Sequence, residues 1–455
     1  MHLSPDFIAF AKDFFGSEYN DFIESLNRQS PTSVRINQAK IRKQLVGKPV
    51  PWCDSARYLD ERPAFTFDPL FHAGCYYVQE ASSGFLEQVF KKYIDKPVCM
   101  LDLCAAPGGK STHSLSLLPE GSLLVSNEVI RSRTGVLFEN ISKWGYPNVI
   151  ITNNDAVDFK KVSGFFDVVL VDAPCSGEGM FRKDPESAIR WSLNHVSLCA
   201  ERQRRILNDV WPCLKPGGLL IYSTCTYNLR ENEENIHWLT QTFDAEILPL
   251  DIEEFSTIST PVHPNVYRFF PHKTEGEGFA LAVIRKSESK NEDIVRIKQK
   301  KLKEIAIPDV RNWLTDSDKF RYSVRNNIIT AFPSEYVSEL AFFESELNVV
   351  SAGIPFAELK GKSPSPTQSL AESLYINKKM FDSVEIDYKE AVCYLRKETL
   401  VLPPETPKTY ILLTYNNVPL GFVKNIGNRA NNLYPQERRI RTSFENKNPC
   451  RFCSV

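Results

Sequence analysis

Apolar positions change their period along the chain, and the changes mark its organisation. In the first 30 residues Phe7, Phe10, Ala11 and Phe14, then Tyr19, Phe22, Ile23 and Leu26, recur every three or four positions, which predicts one or two amphipathic helices. Residues 31 to about 90 mix short strands with prolines and aromatics, so a small N-terminal domain is expected over 1–90. From Pro97 onward, short apolar or β-branched runs alternate with stretches of helical period. The runs are 98–103, 122–127, 149–152, 168–171 and 219–223, with 280–284 later. Strands alternating with helices predict an α/β domain over 91–286, built on a doubly wound parallel sheet. In such a sheet ligands lie beyond the carboxyl ends of the strands, so the residues just after each run matter most.

The pattern then breaks. Residues 286–304, KSESKNEDIVRIKQKKLKE, are dense in charge and read as a linker or a solvated helix, opening a segment 287–370 that also holds a small domain. The Ser/Pro-rich stretch GKSPSPTQS, at 361–369, marks a second break. Beyond it, 410–415 and 419–423 flank Asn416-Asn417 as a hairpin in a β-rich region, 371–455.

Composition narrows the class. A chain of 455 residues with 42% apolar and 24% charged positions is globular and has room for two to four domains. With 55 basic against 56 acidic residues, any surface for a polyanion must be local. The N-terminus lacks the basic start and apolar run of a signal peptide, and no run of about 18 uncharged apolar residues occurs, so no membrane span is expected. Eleven cysteines, several inside apolar runs (Cys99, Cys213, Cys393), suit a reducing compartment such as the cytoplasm. The histidines show no ligand spacing, and Cys450 with Cys453 is a lone CxxC, so no metal is expected.

Candidate chemistry clusters at the strand ends. LDLCAAPGGKST (101–112) follows the first predicted strand, and its Gly108-Gly109 lets backbone approach a ligand at a helix start. Glu128 closes the second strand, where a carboxylate hydrogen-bonds ribose hydroxyls; Asp155 closes the third, where an adenine would lie; Asp172 ends the fourth. Each alone could be a helix cap; in sequence they favour a nucleoside cofactor. Two further segments bring a cysteine each to the same edge: DAPCSGEGMFRKDP (172–185) with Cys175, and STCTYNLRENEEN (223–235) with Cys225. A thiolate there, activated by a helix N-terminus or a cation, would serve covalent catalysis. The residues alone do not choose between the two cysteines.

With these segments in hand, the chain resembles the RNA cytosine-5 methyltransferases of the Sun/Nop group, and most closely their bacterial RsmF-like branch. CAAPGGK, the Glu128 and Asp155 strand ends, DAPCSGEGMFRKDP and STCTYN carry the likeness, with PTSVRIN (31–37) and YYVQEASSG (76–84) upstream. The resemblance implies a Rossmann-like class I S-adenosylmethionine methyltransferase core, with a mostly parallel seven-stranded sheet, a small N-terminal domain and a PUA-like C-terminal region. It implies methylation of carbon 5 of a cytosine in RNA, small-subunit ribosomal RNA first, with transfer RNA or a silent assembly role as alternatives. Cys104, Ala105, Ala106, Pro107, Gly108, Gly109, Lys110, Glu128, Asp155 and Asp172 would then border S-adenosylmethionine. Cys225 would be the nucleophile, Cys175 would aid release, and Asp172 would hydrogen-bond the pyrimidine ring.

RNA contact is expected at Lys183 and in the C-terminal stretch 424–451. Seven basic residues there (Lys424, Arg429, Arg438, Arg439, Arg441, Lys447, Arg451) face only Glu437 and Glu445. Tyr434 and Phe444 are interleaved for base stacking, and Asn425, Asn431 and Asn432 suit backbone contacts. The protein is expected to act as a monomer.

Overall fold

The computed structural model describes residues 1–41, 46–288, 307–360 and 363–443. The two predicted N-terminal helices form over Pro5–Phe15 and Tyr19–Asn27. Ser4 caps the first, its hydroxyl accepting from Phe7 N at 3.2 Å, and Pro5 takes the position that needs no N–H. Their apolar faces lie against Phe181 and Trp191, 5.0 and 5.2 Å from the Phe7 ring, and against Tyr227, 5.2 Å from Phe22. A four-stranded antiparallel sheet follows, ordered Lys48–Val50, Cys53–Leu59, Thr32–Ile36, Tyr76–Val78.

Five parallel strands form the centre of the molecule: Cys99–Asp102, Leu123–Asn127, Val149–Thr152, Phe166–Asp172 and Leu214–Thr224, first to fifth in chain order. In space they run fifth, fourth, first, second, third. Helices cover both faces, so the strands read as continuous apolar runs. Alternate residues feed two cores, with Met100, Leu124 and Val168 on one side and Leu101, Val125 and Val169 on the other. Phe279–Lys286 pairs antiparallel with the fifth strand, and Ala245–Leu248 and Val266–Phe269 share its outer edge.

At the opposite edge Val349–Ala352, from within the segment expected as linker and small domain, pairs antiparallel with the third strand. The preceding helix, Val337–Glu346, anchors this return by setting Phe343 4.9 Å from Phe165. The rest of that segment forms an antiparallel sheet of Phe320–Arg325, Ile328–Pro333, Ile354–Lys360 and Ser363–Pro366. The C-terminal sheet comprises Asp382–Glu385, Tyr410–Tyr415, Val418–Asn425 and Ala430–Asn432. Its expected hairpin is present, with Asn416 and Asn417 at φ 51° and 62°, the left-handed pair that a two-residue turn of this hand requires. This sheet shares one core with the N-terminal sheet, where Val34, Ile36 and Tyr76 meet Ile411, Leu413 and Tyr434. Among the described residues no helix is long and apolar enough to cross a membrane.

The first strand has the second on one side and the fourth on the other, so the sheet reverses its winding there. Doubly wound sheets open a crevice at such a point, beyond the carboxyl ends of the strands.

Candidate active site

Two loops leave that edge side by side. Asp172 of the fourth strand is in register with Ser223 of the fifth, and Ala173 N donates to Ser223 O at 2.8 Å, so the chains diverge together. Cys175 and Cys225 follow, their Sγ atoms 3.2 Å apart, both free thiols and both partly buried. The hydrogen bond with Cys225, followed by burial, pushes the Cys175 thiol well above its ordinary value. Either sulfur of the pair can donate to the other across this contact.

Lys110, from the first turn of helix Gly109–Leu117, reaches the same place. Its Nζ is 2.8 Å from Asp172 Oδ2, while Ser223 Oγ donates to Asp172 Oδ1 at 2.8 Å. Burial works against the lysine's charge, but the Asp172 charge and hydrogen bond, with the Cys225 sulfur beyond them, outweigh it and raise its pKa. A fixed cation thus stands beside the two sulfurs. Of the two sources of thiolate stabilisation considered from the sequence, the cation is the one present.

On the cofactor side, Gly108 sits at φ 113°, where only glycine is unstrained, and a Cβ on Gly109 would come within 3.3 Å of the Tyr77 ring. Ala105 N donates to Asn127 O at 2.8 Å, Arg133 holds Ala106 O at 2.6 Å and Asn140 holds Pro107 O at 2.8 Å, so the loop is rigid. Cys104, at the start of the loop, is partly buried, and burial raises its thiol pKa. Glu128 is buried at the end of the second strand, its Oε1 accepting from Ile130 N at 2.8 Å and its Oε2 3.3 Å from Arg133. Asp155, by contrast, caps the turn Ala156–Val162 and pairs with Arg205 at 3.2 Å.

Known proteins resemble this chain along most of its length. Residues 94–285 match the family described as 16S rRNA methyltransferase RsmB/F, residues 3–81 the N-terminal domain of 16S rRNA methyltransferase RsmF, and residues 381–440 the methyltransferase RsmF PUA domain. Ribosomal RNA small subunit methyltransferase F of Enterobacter sp. (strain 638) is 30% identical over 92% of both chains, and that of Serratia proteamaculans (strain 568) is 30% identical over 96% of both. The chain belongs to the RsmB/F methyltransferase family. A solved methyltransferase homologue from Pyrococcus horikoshii is 30% identical, with a TM-score of 0.53 over 61% of this chain and 94% of its own. NSun6 from the same organism, solved with SFG, is 20% identical with a TM-score of 0.53 over 63% of this chain and 98% of its own, a likeness of fold.

The family's cofactor is S-adenosylmethionine, and the residues present suit it. The glycine pair allows a tight backbone turn where side chains would crowd Leu137, Asn140 and Tyr77, and a carboxylate closes the second strand. Asp102 ends the first strand fully buried, its Oδ2 accepting from Ser111 Oγ at 2.6 Å and its Oδ1 without a hydrogen-bond partner. Burial, with Asp172 and Glu128 adding to it against the Ser111 hydrogen bond, pushes Asp102 up to about 7.

The sequence reading of this methyltransferase missed the framework around the cysteines. Glu178 is fully buried and accepts from Trp191 Nε1 (2.9 Å), Tyr227 N (2.5 Å), Asn228 N (3.0 Å) and Asn228 Nδ2 (2.7 Å). Glu231, also fully buried, accepts from Ser176 N (3.0 Å), Gln203 Nε2 (2.7 Å) and Asn228 Nδ2 (2.7 Å). Burial and the Glu178 charge raise the Glu231 pKa. Together they tie the Pro-Cys loop to the Thr-Cys loop. Nothing local marked them: an acidic residue a few positions after each cysteine reads like any loop carboxylate, and only the buried donors around it set it apart.

Two upstream motifs were also read without a physical role. Arg35 of PTSVRIN is buried, donates to Gln79 Oε1 and Thr112 Oγ1 at 2.7 Å each, and lies 4.5 Å from the Trp144 ring centre. The N-terminal sheet thereby grips the helix that carries Lys110.

The RNA-contact expectations divide. Lys424, Arg429, Arg439 and Arg441 are exposed, and so is Lys183, 3.7 Å from Glu277. Tyr434 cannot stack on a base: it is fully buried, its hydroxyl 3.2 Å from His72 Nδ1. Arg438 is spent on Glu372 at 2.9 Å with its side chain 6% exposed, and Asn425 is buried against Thr406 O and Pro407 O. The C-terminal sheet needs these groups for its own docking, a demand that a charge run does not reveal. Phe444, Glu445, Lys447, Cys450, Arg451 and Cys453 lie outside the described residues. Against the expectation of no metal ligands, Cys53, Glu87 and His113 converge elsewhere in the interior.

Proposed function

We propose that this methyltransferase methylates carbon 5 of a cytosine in small-subunit ribosomal RNA, with Cys225 as nucleophile and Cys175 as the group that permits release. The observation that carries the reading is the sulfur pair, 3.2 Å apart beside the Lys110–Asp172 ion pair at the sheet edge. An enzyme methylating a nitrogen or oxygen atom has no use for two such thiols.

Carbon 5 of cytosine is a poor nucleophile until a thiolate adds to carbon 6, which makes it enamine-like. The glycine pair and Glu128 would hold S-adenosylmethionine, which would supply an electrophilic methyl group when bound. Cys225 bonds to carbon 6, and Asp172 accepts from or donates to the ring edge while Lys110 balances its charge. The carbon 5 proton must then leave so that the carbon 6–sulfur bond can break. While Cys225 is anionic, its charge holds the Cys175 proton in place. Once Cys225 is a thioether, Cys175 no longer faces a sulfur anion; its ionisation, with the proton passing to solvent, is eased, and the thiolate can take the carbon 5 proton. The same coupling gives the two cysteines different duties.

The likeness to small-subunit rRNA methyltransferases over nearly the whole chain supports the substrate. Lys183, Lys424, Arg429, Arg439 and Arg441 are exposed, and on this reading they meet its phosphates. The domains are assigned as 1–90, 91–286, 287–370 and 371–455, with Val349–Ala352 lent back to the catalytic sheet, and the protein acts as a cytoplasmic monomer. Incubating the Cys175→Ala protein with labelled ribosomal RNA and S-adenosylmethionine should accumulate a protein–RNA adduct that survives denaturing electrophoresis and vanishes when Cys225 is also Ala. An active enzyme with Cys225→Ala would overturn the mechanism. Methylation confined to transfer RNA would overturn the substrate alone.

A further inference from the structure

Three side chains of different chemistry meet in the interior between the N-terminal sheet and the helix that follows the glycine pair. Cys53 opens the strand Cys53–Leu59, Glu87 lies in the first turn of helix Leu86–Tyr93, and His113 lies midway along helix Gly109–Leu117. Cys53 and His113 are fully buried and Glu87 nearly so. Their ligating atoms fall within 4.8 Å of one another; His113 Nε2 is 3.7 Å from Cys53 Sγ and 3.4 Å from Glu87 Oε2. We propose that Cys53, Glu87 and His113 form a structural site for a divalent transition metal, zinc by its chemistry, which fastens the N-terminal domain to the cofactor-loop helix.

The spacing fits. Zinc binds sulfur at about 2.3 Å and imidazole nitrogen or carboxylate oxygen at about 2.0–2.2 Å, so a tetrahedral centre separates S from N by about 3.6 Å and N from O by about 3.4 Å. The Cys53–His113 and His113–Glu87 separations match those values, and a water molecule would complete the tetrahedron. Charge fits as well. One thiolate, one carboxylate and a neutral imidazole neutralise a dication, which relieves the cost of a carboxylate in an apolar interior. The mixed sulfur, nitrogen and oxygen set suits zinc better than a hard cation.

The surroundings orient the ligands. Glu87 Oε1 is engaged by Asp54 N at 3.2 Å and Lys91 Nζ at 3.0 Å, leaving Oε2 to face inward, the outer-shell arrangement that ligating carboxylates show. His113 Nδ1 has no hydrogen-bond partner, so the ring is oriented from its Nε2 side alone.

The test uses metal-stripped, full-length protein carrying Cys175→Ser and Cys225→Ser, so that the active-site thiols do not compete. Titration with Co2+ should saturate at about one ion per chain, with tetrahedral ligand-field bands and a thiolate-to-cobalt charge-transfer band. Zn2+ should bleach both and raise the unfolding temperature. Cys53→Ser and His113→Gln should each abolish the charge-transfer band or the tetrahedral bands, and Glu87→Gln should weaken binding at least tenfold. Should a variant not fold, the titration of the folded parent decides by itself. A natively folded parent that shows no charge-transfer band, or the same band after Cys53→Ser, overturns the proposal.

Discussion

Glu178→Gln is the most informative single change at the cysteine loops. It alters one atom and removes one charge, and every neighbour of that atom is a donor. Oε1 receives the Trp191 indole and the Asn228 amide; Oε2 receives the backbone N–H groups of Tyr227 and Asn228. Whichever oxygen becomes an NH2 group, two buried donors lose their acceptor and face another donor. Hydrogen bonds to a charged group contribute about 1.5–3 kcal/mol each, so the expected loss is about 3–6 kcal/mol. That is a large share of the roughly 5–15 kcal/mol that holds a domain together. Denaturant unfolding should show the midpoint shift. The functional consequence is separable, because Glu178 braces the backbone just after Cys225, at Tyr227 and Asn228, while the cofactor loop lies two strands away. At a temperature where the variant is folded, adduct formation with RNA should fall at least tenfold while S-adenosylmethionine affinity by calorimetry stays within about twofold. Unchanged stability and unchanged adduct formation together would refute the idea that this carboxylate holds the two loops in register.

Lys110→Met deletes the cation beside the sulfurs, and turnover should fall about 100-fold or more with the protein still folded; single-turnover methylation checks this. His72 is buried between Thr66 O and the Tyr434 hydroxyl, and burial with the nearby Lys143 lowers its pKa from 6.5 to about 4. Its folded value lies below its unfolded one, so the unfolded chain takes up the proton first. Stability should therefore be complete above pH 6.5 and decline as pH falls toward about 4, by up to about 3 kcal/mol, with a flatter profile in His72→Gln. Arg439→Ala and Arg441→Ala should each reduce the salt slope of RNA binding by about one, whereas Tyr434→Ala should cost about 3–5 kcal/mol of stability.

The sequence showed the catalytic sheet well because parallel strands buried on both faces are written as uninterrupted apolar runs; five predicted runs coincide with the parallel strands, and the sixth with the antiparallel Phe279–Lys286 beside them. Strand ends follow from strands, so the glycine pair, Glu128, Asp172 and both cysteines were legible at once. Two kinds of feature were not. Val349–Ala352 is short, and it joins a sheet whose other strands end some 60 residues earlier; nothing local tells an edge strand which sheet it will extend. Buried polar partners were equally hidden. Arg438 and Tyr434 look like surface RNA contacts by type, and only the positions of Glu372 and His72 show that they face inward. Glu178 and Glu231 read as ordinary loop acids for the same reason.

The shared core of the first and last sheets has a consequence for the order of synthesis. Tyr434 and His72 are partners across 362 positions, so the strands Thr32–Ile36 and Tyr76–Val78 emerge long before the segment that covers them. Until the last stretch is made, an apolar wall stands open on the nascent chain, where sticky intermediates invite aggregation or a waiting chaperone. A premature stop near the end would thus do more harm than trimming an RNA-holding appendage: it would leave the beginning of the protein undressed.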